Sequence, residues 1–123
     1  METKIVYNGE YVHCRIEGTI IYLVAIKSSR NLHISFAQIH WPDIKDDLVY
    51  CINQLAGPWG RIHSRDRDWL YASQDKDHIL LSNNGFTIDF LKTDWEFAKS
   101  ELLFCIDLVS EHLQEPTKPE ESI

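Results

Sequence analysis

The chain lacks a paired set of cysteines, a long apolar run and an excess of basic residues, and each absence excludes a class of protein. Its three cysteines, Cys14, Cys51 and Cys105, are an odd number, which does not fit a disulfide framework and is typical of reduced, buried thiols. No segment approaches the roughly 18 apolar residues that a membrane span needs, and the N-terminus has no apolar signal segment. We therefore expect a cytoplasmic protein that binds no membrane.

Basic residues are scarce. The sequence has 12 lysines and arginines against 19 aspartates and glutamates, which gives a formal net charge of −7. A negative chain opposes binding to the phosphate backbone of nucleic acids and to anionic lipids. The charge balance therefore predicts no nucleic-acid ligand and favours a basic partner.

The common catalytic and metal-binding motifs are also missing. The sequence contains no P-loop, no GxSxG nucleophile motif and no dinucleotide-binding glycine pattern. No two of its six histidines have the helical spacing of a metalloprotease motif or accompany a zinc-type cysteine pair. Cys51 and Cys105 each precede an isoleucine on an apolar stripe, where thiols ionise poorly. We expect no catalytic residue, no cofactor and no metal.

What the chain does contain is a repeated pattern, in segments 41–55 and 95–109. These segments align at a constant offset of 54 residues, the separation of Cys51 and Cys105. The identical pairs are Trp41/Trp95, Lys45/Lys99, Leu48/Leu102, Cys51/Cys105 and Ile52/Ile106. Amphipathicity explains the shared aliphatic residues, but not the leading tryptophan or the cysteine ten residues later. The pattern predicts a duplicated unit of strands followed by a helix.

Seven segments have the character of strands: residues 4–7, 10–16, 19–27, 32–39, 69–73, 78–82 and 86–91. The unbroken hydrophobicity of 19–27 predicts a central strand covered on both faces. Two amphipathic stretches predict helices. The first begins near residue 41 and ends at about 55, and the second opens at residues 93–96, where Thr93 and Glu96 fit a capping box, and ends at about 113.

Two turn signals predict β-hairpins. Asn8-Gly9 lies between the first two predicted strands, as is typical of a two-residue hairpin. Asn83-Asn84-Gly85 separates the last two and contains residues that accept a positive φ.

The sum is an α+β fold, in which an antiparallel sheet packs with two helices and the duplicated units are related by an approximate twofold axis. Residues 1–114 are expected to form a single domain, with repeat halves of about 1–57 and 58–114. Residues 115–123 are short, charged and proline-bearing, and we expect a disordered C-terminal tail.

The second helix carries an apolar stripe that the first helix lacks. Phe97, Phe104 and Leu108 lie within about 40° of one another. They are opposite the stripe that is expected to face the core, which consists of Trp95, Ala98, Leu102, Cys105, Ile106, Val109 and Leu113. Solvated helix faces do not usually carry two phenylalanines and a leucine. Either strands or the N-terminal hairpin cover this stripe within the monomer, or it contacts another chain, as a homodimer or with a different partner.

A second candidate surface is the segment from residue 59 to 69, in which three arginines lie between two tryptophans. Such a run could bind a nucleotide or a carboxylate-bearing partner. The candidate partner-binding residues in it are Trp59, Arg61, His63 and Arg65. The alternative is an ordinary loop, in which Asp66 and Asp68 pair with the arginines.

Small-ligand binding or catalysis has two candidate locations. One is the Arg61–Arg67 loop, and the other is a polar sheet face with His13, Arg15 and His33. The alternative for the sheet face is a solvated surface without a ligand.

Acidic residues cluster at the start of the first helix, where Asp43, Asp46 and Asp47 complement the positive end of the helix dipole. They could also present carboxylates to a basic partner, such as a nuclease whose active site normally receives phosphate.

In size, charge and lack of catalytic motifs, the chain resembles small acidic intracellular inhibitors, such as bacterial immunity proteins. That resemblance implies a non-catalytic protein that neutralises a toxin by occluding its active site, and this is the leading prediction. A small-ligand-binding domain or enzyme is one alternative. A structural subunit that homodimerises through the second helix is another.

Overall fold

The computed structural model of the chain describes residues 2–28, 33–54, 61–63, 70–74 and 76–114, with residues 54, 61–63 and 114 described by their backbone alone. In the first half, four strands precede a helix: β1 (Thr3–Asn8), β2 (Val12–Glu17), β3 (Ile20–Ala25), β4 (His33–Ala37) and α1 (Trp41–Gln54). The second half has the same order: β5 (Arg61–His63), β6 (Leu70–Gln74), β7 (His78–Asn83), β8 (Phe86–Leu91) and α2 (Trp95–Gln114). One turn of 3₁₀ helix precedes each α-helix.

The strands form two antiparallel sheets, each with its strands in chain order, β1-β2-β3-β4 and β5-β6-β7-β8. The predicted α+β class is confirmed, with two sheets where the sequence indicated one. Strands β4 and β8 lie against each other but belong to separate sheets. Side chains, and not the neighbouring strand, form hydrogen bonds with backbone groups of both. The Asn83 side-chain amide donates to the Ser35 carbonyl (2.5 Å), and the Asp89 backbone N–H donates to Ser28 Oγ (3.2 Å). These bonds satisfy backbone groups of the edge strands without pairing one strand to the other.

Each helix packs mainly on the sheet of the other half and also contacts the last strand of its own sheet. Helix α2 lies on β1 and β2, whereas α1 lies on β5 and β6, and the two helices contact each other. Buried side chains from both halves consequently belong to one hydrophobic cluster. Neither half completes its core with its own helix alone.

Strand β3 is central, as predicted, but its burial alternates along the strand. Ile21, Leu23 and Ala25 are buried in the core, whereas the residues between them are only half-buried. The prediction that both faces of this strand are covered is therefore wrong. Its second face forms part of the outer surface of the first sheet, with three half-buried apolar side chains: Ile20, Tyr22 and Val24.

The two predicted hairpin turns have different outcomes. Asn84 and Gly85 connect β7 to β8 with positive φ values of 54° and 93°, which confirms the second turn. The first turn is wrong in detail, because Asn8 belongs to β1 and the connection spans residues 9–11. Gly9 does not have a positive φ there, and its small size serves a close contact with α2.

The two tryptophans that begin the helices occupy equivalent environments. Trp41 and Trp95 are 2% and 7% exposed. Each packs against a phenylalanine five residues before it, with ring centroids 5.8 Å apart for Phe36–Trp41 and 5.6 Å apart for Phe90–Trp95. Duplication of an ancestral unit stays a prediction, and these matching environments support it.

Candidate functional site

The apolar stripe predicted on α2 lies at the surface. Phe97 is 62% exposed and Phe104 is 51% exposed, while Leu108 is half-buried. The opposite side of the same helix is in the core, where its buried side chains are Ala98, Leu102, Cys105, Ile106 and Val109. Helix α2 therefore has one apolar side packed in the core and a second one facing solvent.

Two tyrosines of the β1–β2 hairpin contact this stripe. Tyr7 meets Phe104 edge to face, with ring centroids 5.3 Å apart, and Tyr11 stacks on Phe97 at 6.2 Å. The N-terminal hairpin thus contacts the stripe, as one interpretation of the sequence expected, but more than half of each phenylalanine surface stays exposed. We call Tyr7, Tyr11, Phe97 and Phe104 the aromatic face.

A β-bulge directs Tyr7 toward α2. Thr3 and Ile5 pair with the outward-facing residues of β2, but the register shifts between Ile5 and Tyr7. After the shift, Tyr7 pairs with Cys14, whose side chain is fully buried. The extra residue therefore moves the following side chain to the face of the sheet on which α2 packs.

Glu101 on α2 fixes the hairpin in place. Its Oε1 accepts the backbone N–H groups of Tyr11 and Val12, both at 2.9 Å, and its Oε2 accepts that of Glu10 at 3.2 Å. A Cβ at Gly9 would overlap both Oε1 of Glu101 and the Tyr7 ring, so glycine allows the close approach. The tyrosines are therefore held beside the phenylalanines by charge-assisted hydrogen bonds.

The surroundings of the aromatic face are acidic. Exposed carboxylates on α2 are Glu96, Asp107 and Glu111. Lys27 lies 4.6 Å from the centre of the Tyr11 ring, and Glu10 is 3.8 Å from its ammonium group. Burial, followed by the charge of Glu101, raises the pKa of Tyr7. Burial, followed by Glu10 and Asp94, raises the pKa of Tyr11.

The acidic cluster at the start of α1 is only partly on the surface. Asp43 and Asp46 are exposed, but Asp47 is 2% exposed because it lies on the buried side of the helix with Ile44 and Leu48. The Asp47 carboxylate is therefore not part of the exposed acidic surface that the sequence indicated.

The polar face with His13, Arg15 and His33 exists, but β3 separates its members. His13 pairs with Val24 and His33 pairs with the same residue from the other side. Burial, and then the charge of Arg15, lowers the pKa of His13. The remaining polar contacts are local: His13 Nδ1 to Asn8 Oδ1 (3.2 Å), Arg15 Nε to Glu17 Oε2 (2.6 Å), Arg15 over the Tyr22 ring (4.6 Å) and Tyr22 against His33 (4.9 Å). These side chains bind one another and do not converge on a common point.

The arginine-rich segment is largely beyond what the structure describes. Trp59 and Arg65 lie outside the described residues. Arg61 and His63 belong to β5, where their backbones pair with Ser73 and Tyr71, and their side chains are likewise outside the description. Across the described part of the chain, no group of three or more His, Cys, Asp or Glu side chains could hold a metal ion.

Two neighbouring clefts contain none of the partner-binding or ligand-binding candidates that the sequence indicated. One, of about 390 Å³, lies between β1, β2 and the end of α2, and the other, of about 250 Å³, lies beside Trp41. Gln38 and Leu113 line both. No sequence motif marks these clefts, because their walls come from segments far apart in the chain.

All three cysteines are buried and free, so we expect them to be unreactive in the native protein. Burial, together with the charge of Asp47, raises the pKa of the Cys51 thiol to about 11. A hydrogen bond with Cys14, followed by burial, raises the pKa of Cys105. Because the thiolate is the nucleophile, we expect neither Cys51 nor Cys105 to react with Ellman's reagent at about pH 8 in the native state. All three should react in guanidinium, and a fast native reaction of Cys51 or Cys105 would contradict the predicted burial.

Comparisons of the chain with protein-family models, with curated proteins and with solved structures found no match. Among the described residues, neither α1 nor α2 combines the length and the apolar character that crossing a membrane requires.

Proposed function

We propose that the protein is a non-catalytic, cytoplasmic binding protein of the immunity type, which neutralises a toxin by covering its active site. The observation that supports this proposal is the aromatic face, in which Phe97 and Phe104 are more than half exposed. Aromatic side chains are enriched where proteins bind one another, and an exposed apolar patch within a charged surface is typical of such an interface.

The way the rings are held also favours binding. Each phenylalanine contacts a tyrosine, and the hairpin that carries the tyrosines is bound to Glu101. Side chains already ordered in the free protein lose less conformational entropy when a partner binds. Buried aromatic residues at the centre of an interface are often worth 2 kcal/mol or more each, in order-of-magnitude terms.

The test is Phe104→Asp, which we expect to leave the protein folded and to abolish partner binding. Because half of the Phe104 surface is already exposed, the thermal midpoint should fall by only a few degrees. Tagged protein should capture one stoichiometric partner from the cell that makes it, and the complex should weaken as salt is raised. The variant should capture at least about tenfold less, a loss of roughly 1.4 kcal/mol.

Ile39→Asp is the matched control, since Ile39 is an 81% exposed apolar residue in the 3₁₀ turn before α1. It should capture the partner as the unmodified protein does. Equal capture by Phe104→Asp and Ile39→Asp would contradict the proposal. Global unfolding of Phe104→Asp would instead show that the hairpin contact with Tyr7 is a core contact.

A homodimer through the aromatic face is the second candidate, because the same exposed rings would favour it. Two copies placed face to face would, however, bring their acidic surroundings together, and like charges across an interface are unfavourable. We therefore favour a different partner. Size-exclusion chromatography with light scattering distinguishes the two, since only the homodimer doubles the mass of the purified protein.

A further inference from the structure

We infer that the partner binds through a basic amphipathic helix, which lies along α2 with apolar residues on the aromatic face and lysines or arginines opposite Asp107 and Glu111. This inference rests on the proposed function and adds the chemistry of the partner segment. It follows from the shape of the stripe, the state of its backbone and the charges beside it.

The shape of the stripe matches a helix. Phe97 and Phe104 are seven residues apart on α2, which is about 10.5 Å along the helix axis, and Leu108 extends the stripe to about 16 Å. This is about three helical turns, the distance over which a helix presents apolar residues at positions i, i+4, i+7 and i+11. The hairpin tyrosines border the stripe on one side only.

The backbone of α2 offers no partner for strand addition along the stripe. Phe97 and Phe104 lie within α2, where backbone N–H and C=O groups form hydrogen bonds inside the helix. A segment bound here must therefore satisfy its own backbone hydrogen bonds. A helix does this along its whole length, whereas an extended peptide would depend on water for the backbone groups that face α2.

The charges beside the stripe favour a basic partner. At about 100° per residue, Asp107, Glu111 and Glu96 lie on the side of Phe104 away from Glu101 and the hairpin, and all three are exposed. Lys27, a cation that contacts the aromatic face, is 3.8 Å from the carboxylate of Glu10. The stripe therefore has a border of negative charge, which lysine or arginine side chains on the flank of a bound helix would neutralise.

The probe is a synthetic leucine–lysine peptide of about five helical turns, with its leucines on one face. Titrated into ¹⁵N-labelled protein, it should shift the amide signals of α2 and the β1–β2 hairpin. Its affinity should fall as salt is raised. Two control peptides separate the contributions: one has the same composition with leucines distributed around the helix, and the other has glutamate in place of lysine. Both should bind at least about tenfold more weakly, a loss of roughly 1.4 kcal/mol.

A matched pair of double variants tests the location. Asp107→Lys/Glu111→Lys should weaken binding of the basic peptide at least about tenfold and improve binding of the glutamate peptide. Asp43→Lys/Asp46→Lys changes the net charge equally, at exposed positions on α1. It should leave the affinity within about threefold of the original, or roughly 0.7 kcal/mol.

Three outcomes would overturn the inference. These outcomes are equal binding by the distributed-leucine peptide, equal weakening by the two double variants, and signal shifts outside α2 and the hairpin. If Phe104→Asp loses the cellular partner while the basic peptide binds elsewhere, the proposed function stands and the helix inference fails. If the peptide binds α2 but Phe104→Asp keeps the cellular partner, the proposed function fails instead.

Discussion

Replacing Trp41 with alanine is expected to lower the free energy of unfolding by about 4 kcal/mol, because the change opens a large cavity at the junction of the two halves. The indole is 2% exposed, packs against Phe36 and donates a hydrogen bond from Nε1 to Ser110 Oγ at 3.1 Å. Urea denaturation followed by circular dichroism measures the loss. Trp95→Ala should cost a similar amount, since its ring packs on Phe90 in the same way.

Phenylalanine variants of the two tryptophans should differ from each other. Trp41→Phe loses the hydrogen bond to Ser110, whereas Trp95 Nε1 has no hydrogen-bond partner among the described residues. In the 54-residue register Ser110 corresponds to Ala56, which has no hydroxyl group. Both variants remove the same volume, so Trp41→Phe should be about 1 kcal/mol less stable than Trp95→Phe. Equal stabilities, or the reverse order, would show that the Ser110 bond does not stabilise the fold.

Replacing Glu101 with alanine is expected to destabilise the protein by about 3 kcal/mol, because it removes the acceptor of three backbone N–H groups. The loss should concentrate in the β1–β2 hairpin. Hydrogen exchange should accelerate at the amides of Tyr11 and Val12 more than at the central strand β3. The aromatic face should also lose order, so partner binding should weaken although no ring has been changed.

Two further variants separate the charge of Glu101 from its geometry. Glu101→Gln keeps one oxygen, which can still accept the Tyr11 and Val12 bonds. It should therefore destabilise the protein by about half as much as Glu101→Ala does. Gly9→Ala keeps the carboxylate but places a methyl group where Oε1 and the Tyr7 ring lie, and it should also destabilise the hairpin. A Glu101→Ala protein within about 0.5 kcal/mol of the original would contradict the proposed role.

Local signals predicted much of the fold. Pro42 and the apolar spacing after it indicated where α1 begins, and Asn84-Gly85 indicated the last hairpin, because both depend on residues close in sequence. No local signal indicated that each helix would pack on the sheet of the other half. An amphipathic helix shows which of its sides is buried, but the sequence does not show which sheet it covers.

The aromatic face was half predicted. Phe97 and Phe104 stood out because they repeat at helical spacing on the side of α2 that is opposite its core residues. Tyr7 joins them only through a bulge in β1, and Glu101 binds a turn about 90 residues earlier in the chain. The prediction that Asp47 is exposed was wrong. A carboxylate in the first turns of a helix usually faces solvent, but Asp47 lies on the side of α1 that is buried in the core.

The exchange of helices between sheets has a consequence for how such a protein could have arisen. A single strands-then-helix unit, alone, would leave much of the apolar side of its sheet uncovered, because its own helix packs mainly on another sheet. In two separate copies, the helix of each could cover the sheet of the other, as in a domain-swapped dimer. Joining such copies end to end would turn an association between chains into a fold within one, and would free each copy to diverge, so that only one of the two helices came to carry outward-facing phenylalanines.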